Sequence, residues 1–191
     1  MRRNTSCGTI KPPAAEQTVN LPTDLPFSRV DFASGTWSFL VRYEERTSDT
    51  DPDPYLGHYY GAIRVFRLTV GTTMVDFPAD QAKLEVSDGG LGFPNRESIR
   101  VEASALGAYG VMRVSWVQLN QRPNGSDLRG VPGSLTSDAL PASSLVANLD
   151  TASPFDRFLL LRIDRAGSEP QPLLYMSSSK VLVLATPAAS K

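Results

Sequence analysis

A chain of 191 residues that is 41% hydrophobic and 20% charged is long enough for one folded domain and too apolar for a disordered one. A formal net charge of −1 excludes a molecule drawn as a whole to nucleic acid or to an anionic membrane surface. The single cysteine, Cys7, allows no disulfide within the chain and points to a reducing compartment.

The 15 prolines and 14 glycines favour short strands joined by turns over long helices. Met1-Arg-Arg-Asn-Thr-Ser-Cys-Gly8 has no apolar stretch behind its arginines, so no secretory signal is expected there. No run approaches the ~18 apolar residues of a spanning helix, so no membrane insertion is expected. Residues 1–35 carry prolines every few positions and read as an extended arm, either disordered or ordered against a neighbouring subunit. Residues 36–191 read as one β-sandwich domain.

Within that domain, Thr36–Glu44 alternates, placing Trp37, Phe39, Val41 and Tyr43 on one face. Residues 46–55 form an acidic loop. Gly61–Val70 is a second strand, and its change of phase at Val65–Phe66 signals a bulge or burial on both faces. Ala82–Val86 alternates, as does Arg96–Glu102 with Ile99 and Val101 inward. Ala103–Gly110 is rich in small residues and reads as an irregular crossing segment. Val111–Leu119 is another strand, and residues 120–150 are turn-rich, with one helical turn expected near Ala139–Leu149. Phe158-Leu-Leu-Leu-Arg-Ile163, the densest apolar run, suits a strand covered on both faces, and Lys180–Ala185 follows as its companion.

The expected fold is therefore all-β, an antiparallel sandwich of roughly eight strands. The long connections 46–60 and 120–152 favour a jelly roll over an up-and-down barrel. The expected core contains Trp37, Phe39, Val41, Trp116, Phe158 and Leu160. A charge at Leu160 should then abolish folding or assembly.

Chemistry is sparse. His58 is the sole histidine and no Gly-x-Ser-x-Gly elbow occurs, so no nucleophile relay and no enzyme is expected. One Cys and one His cannot complete a zinc set. Asp49-Thr-Asp-Pro-Asp53 begins like a calcium loop, but Pro54 and Tyr60 stand where an EF-hand has Gly and Glu, and no metal or other cofactor is assigned. Arg64, Arg67, Arg100 and Arg113 lie on strands and are candidates to line one surface, short of the basic stripe of a nucleic-acid binder. Tyr55, His58, Tyr59, Tyr60 and Phe93 form a candidate interface or receptor-contact patch, because Tyr suits interfaces and aromatic faces stack on sugars.

Over roughly residues 28–165 the organisation resembles a small coat protein of picorna-like icosahedral RNA viruses. Ser153-Pro-Phe-Asp-Arg-Phe158, followed by Gly167 and Pro170, is similar to the acidic-aromatic segment near the last jelly-roll strand of such subunits. Arg100–Tyr109 is similar to their strand and small-residue turn before an interface loop. Ser104, Ala105 and a single Tyr109 replace the usual proline and paired tyrosines, and Arg157 replaces the second acidic residue. The resemblance implies a structural, non-enzymatic capsid subunit. Its partners would be other capsid subunits in homo- and hetero-oligomers, with weak contact to genomic RNA and a host receptor. Its location would be the virion, assembled in the host cytoplasm. The alternative is a carbohydrate- or receptor-binding β-sandwich module, as in a phage tail or viral protrusion.

Overall fold

A computed structural model describes residues 2–9, 23–34, 36–89, 95–121, 127–128, 134–142, 156–164, 171–177 and 182–186. Eleven strands run through these residues: β1 (Arg2–Thr9), β2 (Thr36–Tyr43), β3 (Leu56–Tyr60), β4 (Ile63–Val70), β5 (Thr73–Phe77), β6 (Ala82–Asp88), β7 (Arg96–Gly107), β8 (Gly110–Gln121), β9 (Asp156–Asp164), β10 (Gln171–Ser177) and β11 (Leu182–Thr186). A single short helix, α1 (Arg29–Ala33), accompanies them among the described residues. Two antiparallel sheets result, one in the order β11-β1-β2-β4-β5 and the other in the order β10-β9-β8-β7-β6-β3. The all-β antiparallel sandwich is thus as the alternating patterns require.

The connectivity departs from a jelly roll. β6 to β10 are neighbours in chain order within one sheet, as in a meander. The length of the segment between β8 and β9 suggests a crossing connection, yet the two strands it joins are direct neighbours, with Leu119 opposite Asp156 where the segment leaves and returns. Length alone does not distinguish an excursion that returns to its own edge from a crossover. Only part of the region expected to be an arm bears on its structure. Arg2–Thr9 form β1, paired on one side with β2 and on the other with β11 of the same chain, while residues 10–22 lie outside the described residues.

The expected inward faces account for the core. Trp37, Phe39, Val41 and Tyr43 of β2 are at most 3% exposed, and Ile99, Val101 and Trp116 are buried with them. Phe39 links the layers. Its ring stacks on Trp37 and Phe66 of its own sheet at 5.9 and 6.2 Å and meets Trp116 of the other sheet at 5.0 Å. Aromatic contacts of this kind add to area burial. The phase change in β4 is a bulge: Arg42 pairs with Val65 and Tyr43 with Ile63, leaving Arg64 as the extra residue.

Other expectations need correction. Leu159, Leu161 and Ile163 are the buried residues of β9, whereas Leu160 is half-buried on the opposite face. A run of three leucines conceals the phase of a strand, since either face looks apolar. Ala103–Gly107 continue β7 in regular register with β8, down to Gly107 opposite Gly110. The helical turn expected near Ala139–Leu149 falls largely outside the described residues, and residues 139–142 are not helical. The side chain of Phe158 also lies outside them.

Helix α1 is seated on the β4–β5 turn through one carboxylate. Ser28 caps the helix in a capping box with Asp31, whose Oδ2 accepts from Ser28 N at 2.8 Å, Ser28 Oγ at 2.7 Å and Thr73 Oγ1 at 2.9 Å. Thr72 donates its backbone N–H to Oδ1 at 3.3 Å. Gly71 sits in the left-handed region (φ 58°), and a Cβ there would come within 2.7 Å of the Asp31 backbone, so only glycine lets the turn approach.

Two tests follow from this packing. Leu161→Ala should cost roughly 2–5 kcal/mol in a denaturant titration and Leu160→Ala roughly 1 kcal/mol or less, because only the first opens a cavity. Equal losses would mean that the face assignment is inverted. Burial would raise the pKa of Asp31, but the hydrogen bonds from Ser28, Thr73 and Thr72 outweigh it and lower the group from 3.8 to about 2. The folded value lies below the unfolded one, so this stabilisation is complete above about pH 4 and disappears as pH falls through about 2. It is worth at most about 2.5 kcal/mol. Urea midpoints of Asp31→Asn should accordingly lie below wild type near neutrality and converge with it towards about pH 2.

Candidate functional site

The strands that bury one residue in two necessarily present the other. In β6, Leu84 and Val86 face the core, so Lys83 and Glu85 face outward. The same alternation turns Arg100, Glu102 and Ser104 of β7, Arg113 and Ser115 of β8, and Leu160, Arg162 and Asp164 of β9 to the outer face of the six-stranded sheet. Register then aligns residues that are far apart in sequence. Tyr60, Lys83, Glu102, Ser115 and Leu160 form one row across five strands. Ser104, Arg113 and Arg162 form the adjacent one. Together with Asp80 and Gln81 of the 3-10 turn Ala79–Gln81, these residues line a cleft of about 310 Å³.

The electrostatics of the cleft are shared pairings. Glu102 takes Lys83 Nζ at 3.1 Å on one oxygen and Arg100 Nη2 at 2.5 Å on the other. Burial would raise its pKa, and the Lys83 and Arg100 cations outweigh that and hold it below the ordinary carboxylate value. Asp164 lies between two guanidiniums, bonded to Arg113 Nε and 3.2 Å from Arg162 Nε. Arg113 and Arg162 are directly opposite each other in the β8–β9 register, where like charges repel.

The aromatic patch anticipated from Tyr55, His58, Tyr59, Tyr60 and Phe93 divides. β3 alternates, so Tyr59 is 3% exposed and points inward, while Tyr60 is 60% exposed at the rim of the cleft. Tyr59 donates its hydroxyl to the Asp138 carbonyl at 2.8 Å, and burial, with Asp49 and Asp138 nearby, pushes its pKa up to about 12. It is therefore a packing residue. Tyr55 is 42% exposed in the loop before β3, and Phe93 lies outside the described residues. Gly57 admits the Tyr59 ring: a Cβ there would lie 2.5 Å from it.

His58 serves as a latch between loop and sheet. Its Nδ1 is 2.6 Å from Asp51 Oδ2 and its Nε2 is 3.2 Å from Glu85 Oε2. In the same loop the Oδ1 atoms of Asp49, Asp51 and Asp53 accept backbone N–H groups from Asp51, Asp53 and Tyr55 at 2.9 Å each, and Asp49 also accepts from His58 N at 2.8 Å. These carboxylates organise the loop. Burial, and then the Asp49 carboxylate, raise the pKa of Asp138 beside it. Among the described residues no group of three or more His, Cys, Asp or Glu side chains is placed to hold a metal ion.

The four arginines suggested for one surface belong to two. Arg100 and Arg113 are in the cleft, whereas Arg64 and Arg67 are on β4 of the five-stranded sheet, paired with Glu44 and Asp76. Arg162 and Lys83 are the cleft cations that a reading strand by strand did not bring together. Their signal was the alternation Lys83-x-Glu85, Arg100-x-Glu102 and Arg162-x-Asp164 on strands whose other positions are apolar. No helix among the described residues is long and apolar enough to cross a membrane. No family model, curated protein or solved structure matches the chain.

Glu102→Gln tests the shared pairing. It should lower stability near neutral pH by roughly 1 kcal/mol, an effect reduced by molar salt, which screens the Lys83–Arg100 repulsion. Because the Glu102 pKa is lowered on folding, the difference from wild type should also shrink as pH falls below about 4.5. An unchanged difference at acid pH would mean that folding leaves the carboxyl's pKa where it stands in the unfolded chain.

Proposed function

We propose that the protein is a non-catalytic binding module that seats a saccharide against the outer face of its six-stranded sheet. The cleft between Tyr60 and Arg162 carries this reading. Its lining alternates hydrogen-bonding groups with an apolar floor at Leu160, and an exposed tyrosine ring stands at its edge. Sugars combine the same two demands, hydroxyls that need fixed donors and acceptors and C–H faces that pack on an aromatic ring. The filled interior supports an exterior site, since Phe39, Phe66 and Trp116 occupy the space between the sheets. His58, held between Asp51 and Glu85, supports a non-catalytic role.

Assembly as a coat subunit of an RNA virus is the second reading. The apolar side chains left at the surface that contacts between subunits would cover are Val30, Met74 and Leu106, at 78%, 57% and 83% exposure. Sedimentation as a shell would support it, and a stable monomer at high concentration would count against it.

A glycan array followed by calorimetric titration of the best binder tests the first reading. Tyr60→Ala and Ser115→Trp should each weaken binding by roughly tenfold or more while leaving thermal stability within a few degrees of wild type. An array without binders, or affinity indifferent to both substitutions, would overturn it.

A further inference from the structure

We propose that the saccharide is acidic, and that Arg113 and Arg162 hold its carboxylate or sulfate group. This rests on the cleft being a saccharide site and names the class of sugar it takes. The argument begins with charge. Among the described residues, the cleft and its immediate partners hold four cations, Lys83, Arg100, Arg113 and Arg162, and three carboxylates, Asp80, Glu102 and Asp164. One positive charge is left over, in a chain whose formal net charge is −1.

The surplus has a location. Glu102 bridges Lys83 and Arg100, and Asp80 lines the cleft beside them, so that side holds two carboxylates for two cations. On the other side, among the described residues, Asp164 alone serves Arg113 and Arg162, which register places face to face on adjacent strands. Two like charges in that position destabilise a sheet unless something neutralises them. A single carboxylate against two guanidiniums leaves the charge of one anionic group still to be met.

The geometry suits an oxyanion. Both guanidiniums meet Asp164 through Nε, and both side chains remain open to solvent, Arg113 at 48% and Arg162 at 41%. Each guanidinium carries five donors in a planar fork, and such forks recognise carboxylate and sulfate oxygens in pairs. Ser104 and Ser115 border the pair with hydroxyls, and Leu160 and Tyr60 lie along the neighbouring row. An anionic group on the arginines would therefore leave the body of the sugar lying towards Tyr60. A long polyanion such as RNA fits less well, because Glu102, Asp80 and Asp164 interrupt the positive surface.

The test is calorimetric titration of the full chain with three probes: a galacturonate trisaccharide, a sulfated heparin-type disaccharide and a neutral galactose trisaccharide. At least one acidic probe should bind roughly tenfold more tightly than the neutral one, with affinity falling as salt rises. The better acidic probe identifies the group as carboxylate or sulfate. Arg113→Gln and Arg162→Gln should each lower affinity for the better acidic probe by roughly tenfold, bringing it down to that of the neutral probe. Arg162→Lys, which keeps the charge and loses the fork, should fall between. Circular dichroism and thermal melts confirm that the variants are folded.

Equal binding of acidic and neutral sugars would overturn the acidic class while leaving the saccharide site intact. Binding of no sugar, on these probes and on the array, would overturn both. Arginine-dependent binding of an RNA oligonucleotide in place of any sugar would reassign the cleft to nucleic acid.

Discussion

The ring contact between Phe39 and Trp116, 5.0 Å across the gap between the sheets, is the constraint from which the rest of the molecule follows. Phe39 also stacks on Trp37 and Phe66, and Phe66 meets Phe77 edge-on at 5.4 Å. The aromatic cluster fills the interior between two facing sheets. A sandwich closed in this way is packed like a solid, with space for side chains and little else. Any partner must therefore be met on the outside, and the composition of the outer faces becomes the functional question.

The answer on the six-stranded sheet comes from alternation and register together. Burying Leu84, Val101, Val114 and Leu161 obliges their neighbours to face outward, and antiparallel pairing sets those neighbours side by side. Lys83, Glu102, Arg113 and Arg162 become one polar surface although nearly eighty positions separate the first from the last. The five-stranded sheet differs, with Arg67 matched to Asp76 in a two-point ion pair and Arg64 to Glu44. Those two arginines are each matched by a carboxylate of their own. On the six-stranded sheet charge is shared, and two arginines compete for one aspartate.

Sequence patterns were informative where one face alone is apolar. Trp37, Phe39, Val41 and Tyr43 alternate with polar residues, so their direction was legible, and all four are core. In Phe158–Ile163 the alternation vanishes because Leu160 is apolar on a face that is half solvated, and the phase was lost with it. β3 was hidden for another reason. Its five residues follow the Asp- and Pro-rich loop, and their strand conformation depends on pairing with β6 and on Asp49 and Asp51 gripping His58. The individual residues of the cleft were visible as strand charges, but their assembly was not. Register is a tertiary property, and the strand order that joins β8 to β9 across a long intervening segment leaves no local trace in the chain.

The central claim is that ligand binds on the outer face of the six-stranded sheet while the interior stays closed. Nuclear magnetic resonance mapping of the full chain during titration with an acidic oligosaccharide addresses it most directly. Amide and side-chain shifts should move at Lys83, Arg100, Arg113, Ser115 and Arg162 and at the Tyr60 ring. The indole signals of Trp37 and Trp116 should stay in place. Large shifts at those two indoles, or perturbation confined to the five-stranded sheet, would contradict the account.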